Sequence, residues 1–297
     1  MEAFLMSFPM PEEVRLPFWG GIRTIVKRDA MLIRISADNG LRGYAPGPAH
    51  ERALKEINGN IRDFLLGRDP LKWRSFGFTG EPGLKKTYHA CEVALFDVVS
   101  RYEGCPISEL MGGRKRDRIK LYGSAGMYMP PEQYAEEAAA VRDMGFRAYK
   151  MRPALGPDKD LRTIELMRKA CGTDMELMID AHTWWRMGDR SYTPETIVQL
   201  AESLSPSRPY WLEEPLPPED HRAYRELREK GFIDIATGEH EQDYRGFESL
   251  ASMNAADFLQ MDVCLEWMWT QEPWILPTRN SLPTGSVCVS SEPHTRP

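Results

Sequence analysis

The sequence predicts an α/β fold built on parallel strands. From residue 119 onward, short apolar segments alternate with amphipathic helical segments, and most of the apolar segments end in a polar residue. This alternation is typical of βαβ units, in which a helix joins each strand to the next. Parallel strands connected in this way form either an open doubly wound sheet or a closed (β/α) barrel, and the alternation alone fits both.

Composition excludes several classes of protein. The chain has 297 residues, of which 42% are hydrophobic and 28% are charged, as in an ordinary globular protein of about two domains. The net charge is −6 and no basic run exceeds residues 114–116, which argues against nucleic acid as a partner. The five cysteines are scattered and form no Cys-x-x-Cys pair, so we expect reduced thiols.

No membrane partner is expected. The sequence contains no apolar run of about 20 residues, which is the length that a membrane span needs. Its first residues also lack the basic start of a signal peptide. We therefore expect a cytoplasmic location.

Residues 1–117 are predicted to form an α+β domain. A β-rich run at 30–35 turns through residues 38–40, Asp-Asn-Gly, into a second run at 41–44, which is a β-hairpin pattern. Apolar residues in 90–99 repeat with helical spacing, and Gly104 can end that helix. We expect helices to cover the hairpin.

Residues 118–264 are predicted to hold about six βα units. Pro131 and Pro194 suit the first turn of a helix, and Thr193 suits the N-cap. The predicted strands are 119–123, 146–152, 175–182, 210–214, 232–238 and 257–262, and the predicted helices lie near 131–144, 160–171, 194–204, 218–230 and 243–253.

Residues 265–297 break this pattern. They contain five prolines and three tryptophans but no lysine, and neither helical nor strand periodicity can be drawn through them. A complete barrel needs two further βα units where this segment lies. We therefore expect an atypical tail, of the kind that a truncated or frame-shifted C-terminus produces.

Three acids end consecutive predicted strands, namely Asp180, Glu213 and Glu239. The carboxyl ends of parallel strands meet at one edge or mouth, so these side chains can converge. Close carboxylates repel one another unless a cation neutralises them, and an all-oxygen ligand set suits Mg²⁺. The alternative is that each acid caps a helix or pairs with a nearby base; their occurrence at three successive strand ends favours the metal.

The same strand ends carry cationic and imidazole groups. Period-two alternation places Lys150 and Arg152 on one strand face, and it does the same for Asp180 and His182. A guanidinium stays protonated at any working pH, so Arg152 is a poor base but a good partner for a carboxylate or enolate. We therefore expect Lys150 and Arg152 to supply positive charge beside the three acids.

These motifs resemble those of a known family. Segments 178–182, Met-Ile-Asp-Ala-His, 211–215, Trp-Leu-Glu-Glu-Pro, and 237–240, Thr-Gly-Glu-His, are similar in order and spacing to the metal-binding motifs of the enolase superfamily. The branch they resemble is that of mandelate racemase and muconate lactonizing enzyme. Segments 92–97 and 110–113 resemble the end of its capping domain, so the similarity spans roughly residues 2–264.

The resemblance implies a modified (β/α) barrel, here lacking its last units, under an α+β capping domain. It implies a Mg²⁺-assisted reaction that begins by removing the proton α to a carboxylate. Asp180, Glu213 and Glu239 would be the metal ligands, whereas Glu214 would point away from them. Members of this branch commonly assemble, so a homo-oligomer is expected.

Departures from the family pattern refine the catalytic roles. Many relatives have Asn where this chain has His182, and a His there resembles acid-sugar dehydratases, in which it transfers a proton to the departing hydroxyl. The alternative is a His that only hydrogen-bonds within the barrel mouth. His240 is expected to face away from Glu239 if the strand continues, as a neighbour of the site.

The resemblance also implies a His–Asp pair for proton transfer. Asp262 fits the Asp at the end of the sixth strand. His294 superficially resembles the partner His, but the helix and strand that should precede it are not recognisable. Residues 15–23 resemble the family's loop that closes over the substrate.

The leading hypothesis is therefore a Mg²⁺-dependent dehydratase of a sugar acid, a carbon–oxygen lyase. It would abstract the proton α to the carboxylate, pass through a metal-stabilised enediolate and lose the neighbouring hydroxyl. The alternatives are a racemase, epimerase or cycloisomerase of the same superfamily, and a truncated homologue that binds metal without turnover. In the branch that this chain resembles, the second strand commonly ends in Lys-x-Lys, and the second lysine is the base on one face of the substrate. Residues 150–152 are Lys-Met-Arg, so Lys150 and Arg152 would instead bind the substrate and stabilise charge. This weighs against two-base racemisation.

Overall fold

The structure, a computed structural model, describes residues 1–18, 21–114, 117–241, 244–261 and 288–290. These residues form a three-stranded antiparallel sheet near the N-terminus and a seven-stranded parallel sheet after it. Within those ranges, no helix is both long and apolar enough to cross a membrane.

The N-terminal sheet has the order β1-β2-β3, with β1 at Glu2–Phe18, β2 at Gly21–Ser36 and β3 at Arg42–Gly47. The predicted hairpin is confirmed as the β2–β3 pair. The long strand β1 was not predicted, because its prolines and charged residues hide any alternation. Residues 15–18 pair with 21–24, so most of the expected substrate loop is the end of a strand pair.

Helices cover one face of this sheet. The predicted helix is part of α3, and Gly104 ends it with a φ of 65°, in the left-handed region that favours glycine. The apolar side chains of β2 that face α3, including Ile33, are buried. The helices are α1 (Glu51–Glu56), α2 (Arg62–Leu65), α3 (Pro82–Glu103) and α4 (Ile107–Leu110), with a π-helical turn at Ile57–Ile61 and a 3₁₀ turn at Pro70–Ser75.

The six predicted parallel strands and five intervening helices are all present, although most have shorter bounds. The strands are β4 (Tyr122–Met127), β5 (Ala148–Arg152), β6 (Glu176–Asp180), β7 (Trp211–Glu213), β8 (Ile235–Thr237) and β9 (Phe258–Leu259). The helices are α5 (Pro131–Asp143), α6 (Pro157–Cys171), α7 (Pro194–Leu204), α8 (His221–Glu229) and α9 (Tyr244–Ser252), with 3₁₀ turns at Gly188–Arg190 and Ser205–Ser207.

Strand order distinguishes the two parallel architectures. Strands β4 to β9 are neighbours in chain order, whereas a doubly wound sheet reverses its order at a switch point. A further strand, β10 (Cys288–Ser290), pairs in parallel with β4. The segment in which the sequence shows no periodicity thus contains one short strand, and three residues are too few to show a pattern. Asp262 and His294 lie outside the described residues.

The sheet curls on itself. Each strand from β4 to β9 gives one side chain to a buried cluster, the inner layer, which consists of Tyr122, Ala148, Met178, Trp211, Ala236 and Phe258. In a flat sheet, strands β4 and β7 would be about 14 Å apart. The rings of Tyr122 and Trp211 have centroids only 5.7 Å apart. The predicted (β/α) barrel class is thus confirmed.

The buried residues fall into separate clusters. One draws on residues 3–99 and the others on residues 122–258. The domain boundaries placed after residues 117 and 264 stay a prediction.

Candidate functional site

The candidate site lies directly above the inner layer. Residues two positions further along each strand face the same interior, because side chains alternate in a β-strand. This second layer consists of five polar side chains, all buried, and one glycine. We call it the polar layer: Ser124, Lys150, Asp180, Glu213, Gly238 and Gln260.

Lys150 links two of the predicted metal ligands. Its Nζ lies 2.6 Å from Glu213 Oε1 and 3.3 Å from Asp180 Oδ2, and the side chain is only 5% exposed. Burial alone would lower the pKa of Lys150, but the two carboxylates hold it well above its usual range. Lys150 therefore stays protonated and provides a fixed positive charge between the acids.

Asp180 is oriented by two further predicted site residues. His182 Nδ1 lies 2.6 Å from Asp180 Oδ1, and Arg152 Nε donates to Oδ2 at 2.8 Å. Burial alone would raise the pKa of Asp180, but Lys150, His182 and Arg152 together hold it below its usual range. The structure thus brings four predicted residues into one hydrogen-bonded group, with Asp180 ionised at its centre.

Glu213 is held at both oxygens. Lys150 binds Oε1, and the indole Nε1 of Trp211 donates to Oε2 at 3.0 Å. Burial and the nearby Asp180 raise the pKa of Glu213 to about 7, against the opposing effect of Lys150. The Glu213 side chain is fully buried, and Lys150 and Trp211 fix the orientation of its carboxylate.

The expectation that His240 faces away from Glu239 is wrong. Strand β8 ends at Thr237, and Gly238 follows with a φ of 125°, so the alternation of side chains stops there. His240 Nδ1 lies 2.5 Å from Glu214 Oε2 and 3.7 Å from Glu239 Oε1.

The expectation that Glu214 points away from the metal ligands is also wrong. Glu214 has a φ of 43°, an uncommon left-handed conformation for a residue other than glycine. This turn breaks the alternation after β7 and brings the Glu214 carboxylate toward Glu239. The sequence signal for both residues was an acidic or imidazole neighbour directly after a predicted ligand.

The donor set fits a divalent cation. Possible ligand atoms of Glu214, Glu239 and His240 lie within 4.8 Å of one another. Glu214 Oε1 is buried, and the described residues offer it no hydrogen-bond partner. Burial, Asp180 and Glu214 raise the pKa of Glu239. Carboxylate oxygens that crowd in this way are suited to a hard ion such as Mg²⁺.

Hydrogen bonds tie together the two loops that follow β5 and β6. Trp184 Nε1 donates to the carbonyl of Pro153 at 3.0 Å, and the Tyr192 hydroxyl donates to Asp160 Oδ2 at 2.7 Å. The Tyr192 hydroxyl also accepts from Gly156 N at 2.9 Å. These bonds join the chain that follows Arg152 to the chain that follows His182.

Comparison with known proteins places the chain in a family. Residues 133–265 match a family model described as enolase C-terminal domain-like. The chain is 30% identical over 263 residues to D-galactarolactone cycloisomerase of Agrobacterium fabrum (strain C58 / ATCC 33970), covering 84% of this chain and 67% of that relative. The chain belongs to the enolase superfamily. Its resemblance to the mandelate racemase and muconate lactonizing enzyme branch is thereby confirmed.

Solved structures of the superfamily share the fold. A 3,6-anhydro-D-galactonate cycloisomerase from Zobellia galactanivorans is 28% identical with a TM-score of 0.68, over 88% of this chain and 72% of that one. A superfamily member from Polaromonas sp. JS666 is 26% identical with a TM-score of 0.72, over 89% of this chain and 71% of that one.

Members of the superfamily bind Mg²⁺, and the acidic cluster agrees with Mg²⁺ as the cofactor. The individual ligands stay a prediction. Two sets share Glu239: the predicted Asp180 and Glu213 complete one, and Glu214 and His240 complete the other.

Calorimetric titration with Mg²⁺ separates these two ligand sets. We expect Glu213→Gln to weaken Mg²⁺ binding at least about tenfold, because it removes a ligand. Glu214→Gln should weaken binding by less, because Glu214 acts mainly on His240. Glu239→Gln is the positive control, since both sets contain Glu239. A larger loss in Glu214→Gln than in Glu213→Gln would assign the ion to the other set.

Asp160 makes the free energy of unfolding depend on pH. Burial raises its pKa to about 6, against about 3.9 in an unfolded chain. The folded state therefore binds this proton more tightly, and the stabilisation it brings at acidic pH is lost as the pH rises through about 6.

Compared with Asp160→Asn, which does not titrate, the wild-type chain should lose about 1 kcal/mol of unfolding free energy between about pH 5 and pH 8. Urea unfolding of both proteins at the two pH values measures this. A stability difference that does not change with pH would contradict it.

Proposed function

We propose that the chain catalyses a Mg²⁺-dependent elimination on a sugar acid. The proton α to the carboxylate is removed, and the oxygen on the neighbouring carbon departs. One observation carries the proposal: Asp180 binds Lys150, Arg152 and His182 at the mouth of the barrel, beside Glu213. The group combines acids for a metal, cations for a carboxylate and an imidazole for proton transfer.

Arg152 is suited to bind the substrate carboxylate. Its Nε is used by Asp180, and among the described residues no partner is found for its terminal N–H groups. The side chain is 30% exposed, so those groups are accessible from the barrel mouth. A guanidinium binds a carboxylate through two parallel hydrogen bonds, which fixes the α-carbon as well as the charge.

Asp180, Glu213 and Glu239 would hold the Mg²⁺. When bound, the ion supplies positive charge that stabilises the negative charge developing on the substrate carboxylate. Lys150 adds a fixed positive charge within the polar layer, between Asp180 and Glu213. Its ammonium is part of the folded site, so it needs no rearrangement during the reaction.

His182 would deliver a proton to the departing oxygen. Its Nδ1 is bound to Asp180, which leaves Nε2 to face the substrate. An imidazole nitrogen can donate a proton to a departing oxygen within hydrogen-bond reach. Lys150 and Arg152 stay protonated, so neither is the base that removes the α-proton. This argues against a two-base racemase.

The departing oxygen distinguishes two forms of the reaction. If it is a hydroxyl, it leaves as water and the enzyme is a dehydratase, the form that His182 favours. If it is a ring oxygen, it stays attached and the enzyme is a cycloisomerase. The second form is favoured by the two similar proteins named as cycloisomerases, at 30% and 28% identity.

Three expectations from the sequence stay predictions here. They are a homo-oligomeric assembly, a cytoplasmic location and the absence of nucleic acid as a partner.

The proposal is tested by turnover of sugar acids together with their lactones and anhydro forms, followed as 2-keto-3-deoxy product. We expect product that requires Mg²⁺ and is lost on adding EDTA. Asp180→Asn should lower kcat at least about a thousandfold, because it removes both a metal ligand and the partner of His182. The matched control is Asp189→Asn, on an exposed turn of the same loop, and it should retain activity.

His182→Asn tests the proton donor separately. It should lower kcat by about 10²–10⁴-fold while exchange of the α-proton with D₂O continues. The acceptor of that proton would be the His of the expected His–Asp pair to which Asp262 belongs. If the folded chain turns over no compound of the panel in the presence of Mg²⁺, the proposed elimination is wrong and a metal-binding homologue without turnover is supported.

A further inference from the structure

We infer that Trp211 is a positioning residue of the metal centre, whose indole N–H fixes Glu213 as a Mg²⁺ ligand. The inference rests on the assignment of Glu213 as a ligand. It does not depend on which compound the chain transforms.

Trp211 reaches Glu213 from directly below. The two residues lie two positions apart on β7, so both side chains face the barrel interior. The indole Nε1 donates to Glu213 Oε2 at 3.0 Å, and Trp211 is only 3% exposed. An indole N–H is always a donor and carries no charge. It therefore specifies the orientation of the carboxylate at every pH.

The other donors at this centre differ in kind. Among the described residues, those that bind Asp180 and Glu213 through side chains are Lys150, Arg152 and His182, besides Trp211. Each of these three carries or can acquire positive charge, so a divalent ion placed nearby repels it. The neutral indole N–H is not repelled. We expect Trp211 to keep its bond to Glu213 when Mg²⁺ binds.

The indole itself is held by the fold. Its ring packs edge-on to Tyr122 with centroids 5.7 Å apart, and its centroid is 5.3 Å from that of Phe258. Tyr122 is on β4 and Phe258 on β9, so the ring spans the barrel interior. Neighbouring Tyr210 adds a third ring at 5.4 Å. Packing from several strands leaves the ring little freedom to turn, so the direction of its N–H is preset.

The same layer supports the other side of Glu213. Lys150 Nζ lies 5.7 Å from the centroid of the Tyr122 ring, within the range of a cation–π interaction. Tyr122 thus contacts both groups that bind Glu213. The inner layer therefore sets the geometry of the acidic centre and does more than fill the barrel.

Calorimetric titration with Mg²⁺ and no substrate tests the inference. Trp211→Phe keeps an aromatic ring but removes the N–H. Trp184→Phe is the matched control, because Trp184 is also buried and its Nε1 donates to a backbone carbonyl, that of Pro153. Thermal unfolding without metal compares the general loss of stability in the two variants.

We expect Trp211→Phe to weaken Mg²⁺ binding by about 10–100-fold, as loss of a residue that orients a ligand typically does. Trp184→Phe should change it by less than about threefold, even at an equal loss of melting temperature. Similar affinities in wild type and Trp211→Phe, with a tenfold loss in Glu213→Gln, would overturn the inference. Unchanged affinity in Glu213→Gln would overturn it too, by removing the ligand assignment on which it rests.

If Trp211→Phe does not fold, 3-benzothienyl-L-alanine introduced at position 211 keeps the shape of the indole and removes only the N–H. The same loss of Mg²⁺ affinity is expected, and wild-type affinity in this protein would overturn the inference.

Discussion

The structure depends on a group of carboxylates buried at the carboxyl end of a parallel barrel. Asp180 and Glu213 are fully buried, and close carboxylates destabilise a fold unless positive charge compensates them. Lys150 and Arg152 provide part of that charge. The Glu239 side chain is 34% exposed, and Glu214 Oε1 has no hydrogen-bond partner among the described residues. A further cation can therefore bind to these two carboxylates. The arrangement suits a site in which protein cations and a metal ion together neutralise the carboxylates.

The layered barrel explains how such a group is held. An apolar inner layer fills the interior, and the polar layer lies one pleat above it. Because side chains alternate along each strand, a polar-layer residue lies directly above the inner-layer residue two positions before it. The packing of the inner layer therefore supports the polar side chains above it. Trp211 below Glu213 is an example: the strand that buries the indole also directs the carboxylate onto its N–H.

Much of this could be predicted from the sequence. The alternation of strands and helices gave the parallel architecture, and polar residues at strand ends gave the group of Lys150, Arg152, Asp180 and His182 that the structure brings together. These predictions succeed because a regular strand fixes the direction of its side chains. They fail where the strand stops: the backbone leaves the β region at Glu214 itself and at Gly238, two residues before His240. Strand β1 was missed because an exposed strand carries little hydrophobic alternation.

We propose above all that Asp180, Glu213 and Glu239 hold the catalytic ion. Crystals of the chain grown with Mn²⁺ in place of Mg²⁺ test it most directly, because anomalous scattering locates the ion without reference to activity. We predict a single anomalous-scattering peak at about 2–2.3 Å from one oxygen of each of these three carboxylates. A peak bound by Glu214 and His240 and remote from Asp180 and Glu213 would contradict it.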